Sequence, residues 1–185
     1  MDVLDFPDAG GWESWLAEQH DVQTEAWLRI GKAHSGIARV TIAEALDVAL
    51  CYGWIDGQRK AHDDVSFLQR YSRRRPGSSW SKVNVDKVEA LIAAGRMQAA
   101  GLEQVRAAKA DGRWAAAYAS QRTATVPPDL AAAFDTNDSA RRHFESLGKT
   151  DRYAVILRLL KANGPADRAA RLRKAVEALN ASSER

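Results

Sequence analysis

Apolar positions along the chain follow two different periods, and the change comes near residue 81. Before it the apolar runs are short. "TEAWLRIGKA" (24–33) has the aromatic and branched residues of a strand over 24–32, ending at Gly31 and the loop "HSGIAR". In "TIAEALDVALCYG", Thr41 and Glu44 form a capping box, and Ile42, Ala45, Leu46, Ala49 and Leu50 recur at helical spacing up to a stop at Gly53. The next stretch predicts two strands, 53–60 and 65–72, joined by a turn at His62, Asp63 and Asp64. From Ser81 onward the spacing is helical almost to the end, with helices expected over 85–94, 99–111, 128–135, 138–147, 150–162 and 165–180. Gly95, Gly112, Gly148 and Gly164 punctuate them, Pro165 suits a first helical turn, and "TATVPPD" reads as the one clear linker. These elements give an α+β class: a small, mainly antiparallel sheet packed on one helix, followed by a helical C-terminal half. The chain reads as one domain, 1–185, with the sheet in about 20–84 and the helical part in 85–185.

Side chains alternate along a strand, so each predicted strand divides into two faces. Leu28 and Ile30, then Ile55, then Leu68 form an aliphatic set expected to pack on the helix at 42–52. Opposite them would lie Trp27 and Arg29, then Trp54, Asp56 and Gln58, then Phe67, Gln69 and Tyr71. Aromatics interleaved with polar groups suit the wall of a ligand pocket. They suit equally a second packing layer in which Asp56 pairs with Arg29 across strands.

Composition narrows the class. A chain of 185 residues with 45% hydrophobic and 28% charged residues is that of an ordinary globule, long enough to bury a core without metal or disulfide. Cys51 is alone, which excludes an internal disulfide and a cysteine-rich zinc site; at the end of a helix it reads as buried and inert. No apolar run approaches the ~18–20 residues of a membrane span. The acidic start "MDVLDFPDAGG" has no signal-like apolar core, so a cytoplasmic location is expected. The formal net charge of +3 conceals an asymmetry: residues 1–28 hold seven acids and no Lys or Arg, leaving +10 on the rest. Such a basic body attracts anions, from small phosphates to nucleic acid. His20, His34, His62 and His143 show no metal-ligand spacing, and no phosphate-binding glycine motif or dinucleotide fingerprint is present, so no metal and no cofactor are expected.

The block "EALDVALCYGWIDGQRKAHDDVSFLQRYSRRRPGSSWSKVN", with "AGRMQAAGLEQVRAAKADGRW" and "VPPDLAAAF" after it, resembles the YdeI or OmpD-associated family of bacteriocin-protection proteins. Its core is Gly53-Trp54-Ile55-Asp56-Gly57, then Ser79-Trp80-Ser81-Lys82 and Asn84, and the similarity runs from "AWLRIGK" to the last helix. The resemblance implies a role in surviving antimicrobial peptides or related stress; it names no reaction and carries over no catalytic residue. Family descriptions of a periplasmic location do not fit the leaderless start. The chain departs from the family's pattern in "ANGPADRAARLRK". Asn163 and Gly164 stand where a basic pair is usual and Asp167 where a Thr is, while Arg168 and Arg171 remain.

Candidate chemistry centres on Asp56 and on "RYSRRRPGSSWSKVN" (70–84). Asp56, set among aromatics and glycines on the mixed face, would serve as a general acid or base if burial raised its pKa; otherwise it is a structural carboxylate. In the basic stretch, Arg73, Arg74 and Arg75 cannot all face one way. Pro76 and Gly77 break the chain, and Trp80 must bury against the domain or a ligand. Lys82 and Asn84 stand at a helix start, where free N–H groups favour an anion. The expected site therefore comprises Trp54, Asp56, Gln58, Tyr71, Arg73, Arg74, Trp80 and Lys82, binding a small anionic or aromatic molecule in a resistance or stress setting. A solvated basic loop is the bland reading. The rival is nucleic-acid binding by Arg158, Lys161, Arg168, Arg171 and Lys174, although Ala169, Leu172, Val176 and Leu179 mark the last helix as an ordinary amphipathic one.

Overall fold

The protein is described by a computed structural model covering residues 2–33, 35, 36, 38–162 and 164–183; His34 and Asn163, discussed above, lie outside the described residues. The chain divides into two compact units, Met1–Trp80 with Asn84–Ala116, and Ser81–Val83 with Ala117–Arg185. In the first, β1 (Val3–Leu4), α1 (Ala9–Gln19), β2 (Glu25–Gly31), α2 (Ile42–Cys51), β3 (Trp54–Ala61) and β4 (Ser66–Arg73) precede α3 (Lys82–Ala93) and α4 (Ala99–Ala110). The sheet order is β1-β2-β4-β3, parallel between β1 and β2 and antiparallel elsewhere. The second unit carries α5 (Pro128–Asp135), α6 (Asp138–Ser146), α7 (Lys149–Leu160) and α8 (Gly164–Ser183). The class is α+β with a helical C-terminal half, as the periodicity predicts.

Two elements escaped the sequence reading. Strand β1 is too short to show a period. Helix α1 starts on two glycines, yet Asp8 caps it by accepting the Gly11 N–H (3.0 Å). Trp12, Trp15 and Leu16 then recur at i, i+3 and i+4. Trp12 and Leu16 are fully buried, and the Trp12 indole donates to the Ala45 carbonyl of α2 (3.1 Å). Two helices, α1 and α2, thus bear on the core where the pattern suggested one.

The predicted division of the sheet faces is corrected by the register. Ala26 pairs with Tyr71, Leu28 with Gln69 and Ile30 with Phe67, while Asp56 pairs with Tyr71 and Trp54 with Arg73. Trp54, Gln69 and Tyr71 therefore share the core face with Leu28 and Ile30, and Trp27, Arg29, Ile55 and Leu68 take the other. Asp56 and Arg29 end up on opposite faces. Arg29 instead donates to Asp63, Asp5 and the Ser66 hydroxyl. Asp63 also accepts the Ser66 hydroxyl and the Val65 N–H, and the Ser66 bond foremost holds its carboxyl well below the usual range.

Gln69 is a buried polar side chain, 2% exposed, on that apolar face. A bulge between Asp56 and Arg59 explains it. The extra residue breaks the ladder, and the Gln69 amide donates to the Gly57 and Gln58 carbonyls at 3.1 and 3.2 Å.

Helix α4 reaches α2 through a close approach. The Gln98 N–H donates to the Cys51 carbonyl (3.1 Å), and a Cβ placed on Gly101 would collide with that same carbonyl. Gly101→Ala is accordingly expected to cost about 1–3 kcal/mol through overpacking against backbone. An unchanged thermal midpoint would mean that the two helices part without penalty.

In the second unit Leu130, Phe134, Ala140, Phe144, Ile156 and Leu159 share a core with Leu179 of α8. Asp129 of α5 binds Arg168 of α8 through two bonds of 2.7 and 2.9 Å, and Arg168 also donates to the Leu159 carbonyl (3.1 Å). This pairing holds the Asp129 carboxyl below its ordinary value. A depressed carboxylate pKa stabilises the fold above the unfolded value, near ~4, and the contribution disappears as pH falls through the lower folded value. Arg168→Ala should cost about 1–2 kcal/mol near neutral pH, allowing for solvent screening. Denaturant unfolding should show the gap from the parent closing below about pH 4. A gap independent of pH would assign the loss to packing of the arginine stem.

Candidate functional site

Three of the predicted site residues, Trp54, Arg73 and Arg74, stand where β3 begins and β4 ends in the first unit. Gly53, between α2 and β3, has φ +73°, and a Cβ there would lie 3.0 Å from the Ala100 carbonyl and from Gln104. Only glycine makes this turn against α4 without strain. The Gly53 carbonyl accepts the Arg74 N–H (3.1 Å), and the Thr24 carbonyl accepts that of Arg73 (3.2 Å), which fixes both arginines at the end of β4.

A cleft of about 190 Å³ opens there, lined by His20, Tyr52, Trp54, Arg73, Arg74 and Gln104, with Asp21 adding a carboxylate. Each wall has its own support. His20 follows α1 with Nδ1 2.9 Å from the Leu16 carbonyl, and its ring lies 5.3 Å from that of Tyr52. The Trp54 indole donates to the His20 carbonyl (3.2 Å). Burial pushes the Tyr52 phenol up, so the group stays a neutral donor at ordinary pH.

The two arginines behave differently. Arg73 is half-buried, and among the described residues its side chain donates only through Nε, to the Gln23 carbonyl (2.7 Å). Arg74 is 6% exposed, with its guanidinium carbon 3.5 Å from the Trp80 ring centroid and one terminal nitrogen on the Ser79 carbonyl (3.3 Å). Trp80 is 2% exposed, and Trp114 stands against it edge to face at 4.8 Å. Gly77, at φ +74°, supplies the turn that folds Trp80 back, and Arg113 holds the Ser78 carbonyl (2.8 Å). Desolvated cation–π pairs of this kind are worth about 2 kcal/mol. Arg75, by contrast, is exposed.

Of the predicted residues, the fold therefore gathers Trp54, Arg73 and Arg74 in one cleft and stacks Arg74 on Trp80. The others lie elsewhere. Asp56 is exposed on β3 rather than buried among the tryptophans. Gln58 is exposed within the bulge. Tyr71 is wholly buried in the core; burial foremost and the Asp56 charge second push its phenol up. Lys82 is exposed, and its backbone N–H donates to the Tyr118 carbonyl (2.8 Å). His20, Tyr52 and Gln104 were not read as site residues. His20 ends the helix that the sequence reading lacked, and only "CYGW", a phenol next to an obligate glycine, signalled Tyr52.

Cys51 is buried, and desolvation pushes its thiol up, in keeping with an inert cysteine. Among the described residues no group of three His, Cys, Asp or Glu side chains could hold a metal ion, and no helix is long and apolar enough to cross a membrane. Two of the arginines named for nucleic-acid binding are engaged internally. Arg168 holds Asp129, and Arg171 binds Asp167 and the Arg158 carbonyl.

Residues 4–104 match a family model described as a domain of unknown function (DUF8412). Residues 123–181 match one described as Bacteriocin-protection, YdeI or OmpD-Associated. The second match bears out the resemblance read from the sequence over a shorter span, because the block at 53–84 falls within the first. No curated protein and no solved structure matches the chain.

Proposed function

For a chain that belongs to the DUF8412 family through residues 4–104 and carries a Bacteriocin-protection, YdeI or OmpD-Associated segment at 123–181, we propose that the cleft at the ends of β3 and β4 binds a small anionic group. The observation that carries this reading is Arg73, which lines the cleft and, among the described residues, uses only Nε of its guanidinium, on the Gln23 carbonyl. A guanidinium anchored at one nitrogen is already oriented, so less entropy is lost when it forms charge-assisted bonds to a carboxylate or phosphate. The volume, about 190 Å³, suits a small anion or the charged end of a longer molecule.

Two parts of the wider expectation separate here. Both tryptophans have their rings occupied: Trp80 by Arg74 and Trp114, Trp54 by Trp12 and Trp15. Neither offers a face for an aromatic ligand to stack on, which favours an anionic over an aromatic partner. With Asp56 exposed and outside the cleft lining, the reading is binding without acid-base turnover. The resistance or stress setting follows the wording of the second family. A lone buried thiol fits a reducing, cytoplasmic compartment.

Calorimetric titration of the full chain with inorganic phosphate and with acetate tests the proposal. Saturable binding is expected, weakened about tenfold or more by Arg73→Gln, the scale of one charge-assisted bond. Gln104→Ala should weaken it less, and Asp56→Asn should leave it unchanged. Undiminished binding by Arg73→Gln, with folding verified by circular dichroism, overturns the cleft. Tight duplex DNA binding that falls by about 10³-fold or more between ~50 and ~200 mM salt would favour the nucleic-acid reading instead.

A further inference from the structure

We infer a second ligand site, in the C-terminal unit, for a small organic anion with an apolar body. A cavity of about 370 Å³ lies within that unit, inside the ~300–1,000 Å³ range of small-molecule sites. Helix α7 presents one face to it: Lys149, Arg152, Tyr153 and Ile156 follow each other at i, i+3, i+4 and i+7. Phe144 of α6 and Val126 extend the apolar lining, and Arg122 joins Lys149 and Arg152 in the wall.

The charges set the ligand's sign. No carboxylate lines the cavity; Asp151 lies in the same helical turn but is not among the lining side chains. Among the described residues, none of Arg122, Lys149 and Arg152 makes an ion pair. In the same unit Arg141, Arg142, Arg168 and Arg171 are all paired with aspartates. Three exposed cations with no carboxylate partner make this concavity locally positive and attractive to an anion. Helix α7 adds to this field, because its N-cap, Gly148, brings no side-chain cap to the first-turn N–H groups.

The lining sets the ligand's shape. Phe144 and Ile156 are 4% and 6% exposed and belong to the unit's core, so they form a rigid apolar floor. Tyr153 is held by its hydroxyl on the Ala119 carbonyl (2.9 Å), which leaves its ring as a fixed wall. The fitting molecule is an aryl or alkyl carboxylate or phosphate monoester, with its head among the cations and its body against Phe144 and Ile156.

The side chains of Arg122 and Lys149 make no hydrogen bond among the described residues, so replacing them leaves the fold's own contacts in place. The full chain would be titrated calorimetrically with phenyl phosphate, benzoate, inorganic phosphate and benzyl alcohol. The aryl anions should bind at least about tenfold tighter than inorganic phosphate or benzyl alcohol, because only they meet both halves of the site. Their order separates phosphate from carboxylate recognition. The double variant Arg122→Gln, Lys149→Gln should lose about ten- to a hundredfold in affinity with an unchanged thermal midpoint. Arg73→Gln, in the other unit, should leave aryl-anion binding as it is, so failure of one site is distinguishable from failure of the other. Benzyl alcohol binding as tightly as phenyl phosphate, or full affinity in the double variant, overturns the proposal.

Discussion

The first unit is organised by one aromatic cluster. Trp12 lies 5.3 Å from Trp15, 5.7 Å from Tyr71 and 6.3 Å from Trp54, and these rings come from α1, β4 and β3. Large rings at these separations combine burial with favourable edge and offset geometry. Two of the indoles spend their N–H on main chain, Trp12 on the Ala45 carbonyl and Trp54 on the His20 carbonyl, while the buried Tyr71 hydroxyl has no partner among the described residues. Each of these two indoles therefore joins two elements twice, once by surface and once by direction. Removing either would leave a cavity and break that bond together.

The cleft inherits its geometry from this cluster. Trp54 holds the end of α1 against the start of β3, which sets His20 beside Tyr52; Gly53 carries the chain past α4 and orders the end of β4. A second, smaller stack of Arg74, Trp80 and Trp114 seals the neighbouring loop. The basic run thus splits three ways: Arg73 lines the cleft half-buried, Arg74 reaches the same cleft but is buried on Trp80, and Arg75 is exposed. Counting its positive charges would not separate those roles; the turn at Gly77 does.

Local signals carried most of the secondary structure. The capping box at Thr41 is present with both of its bonds, and Gly53, Gly95 and Gly112 all have positive φ where helices were expected to stop. What the sequence concealed was nonlocal. A shift of one residue in strand pairing exchanges every side chain between faces, and in "SFLQRY" apolar residues stand at adjacent positions, so alternation alone does not choose. The true register buries Gln69, which hydrophobicity argues against, because its amide meets carbonyls freed by the bulge. Asp56 does share a face with Trp54 and Tyr71, but it stands on the edge strand β3 and is exposed, which alternation along a single strand does not reveal. Arg29 pairs instead with a carboxylate in the turn, Asp63, because Asp56 lies on the opposite face.

The bulge has a further consequence at the rim of the sheet. With the order β1-β2-β4-β3, the two outermost strands are a two-residue segment and β3. An open strand edge is a template on which another chain can add itself. At β3 the ladder is interrupted between Asp56 and Arg59, and the exposed Gln58, Arg59 and Lys60 follow. A strand approaching from outside would meet a kinked backbone whose Gly57 and Gln58 carbonyls are already taken by Gln69, next to two cations of its host. The other rim is too short to guide a partner. The irregularity that obscured the register from sequence is thus also what closes this sheet to self-templated growth.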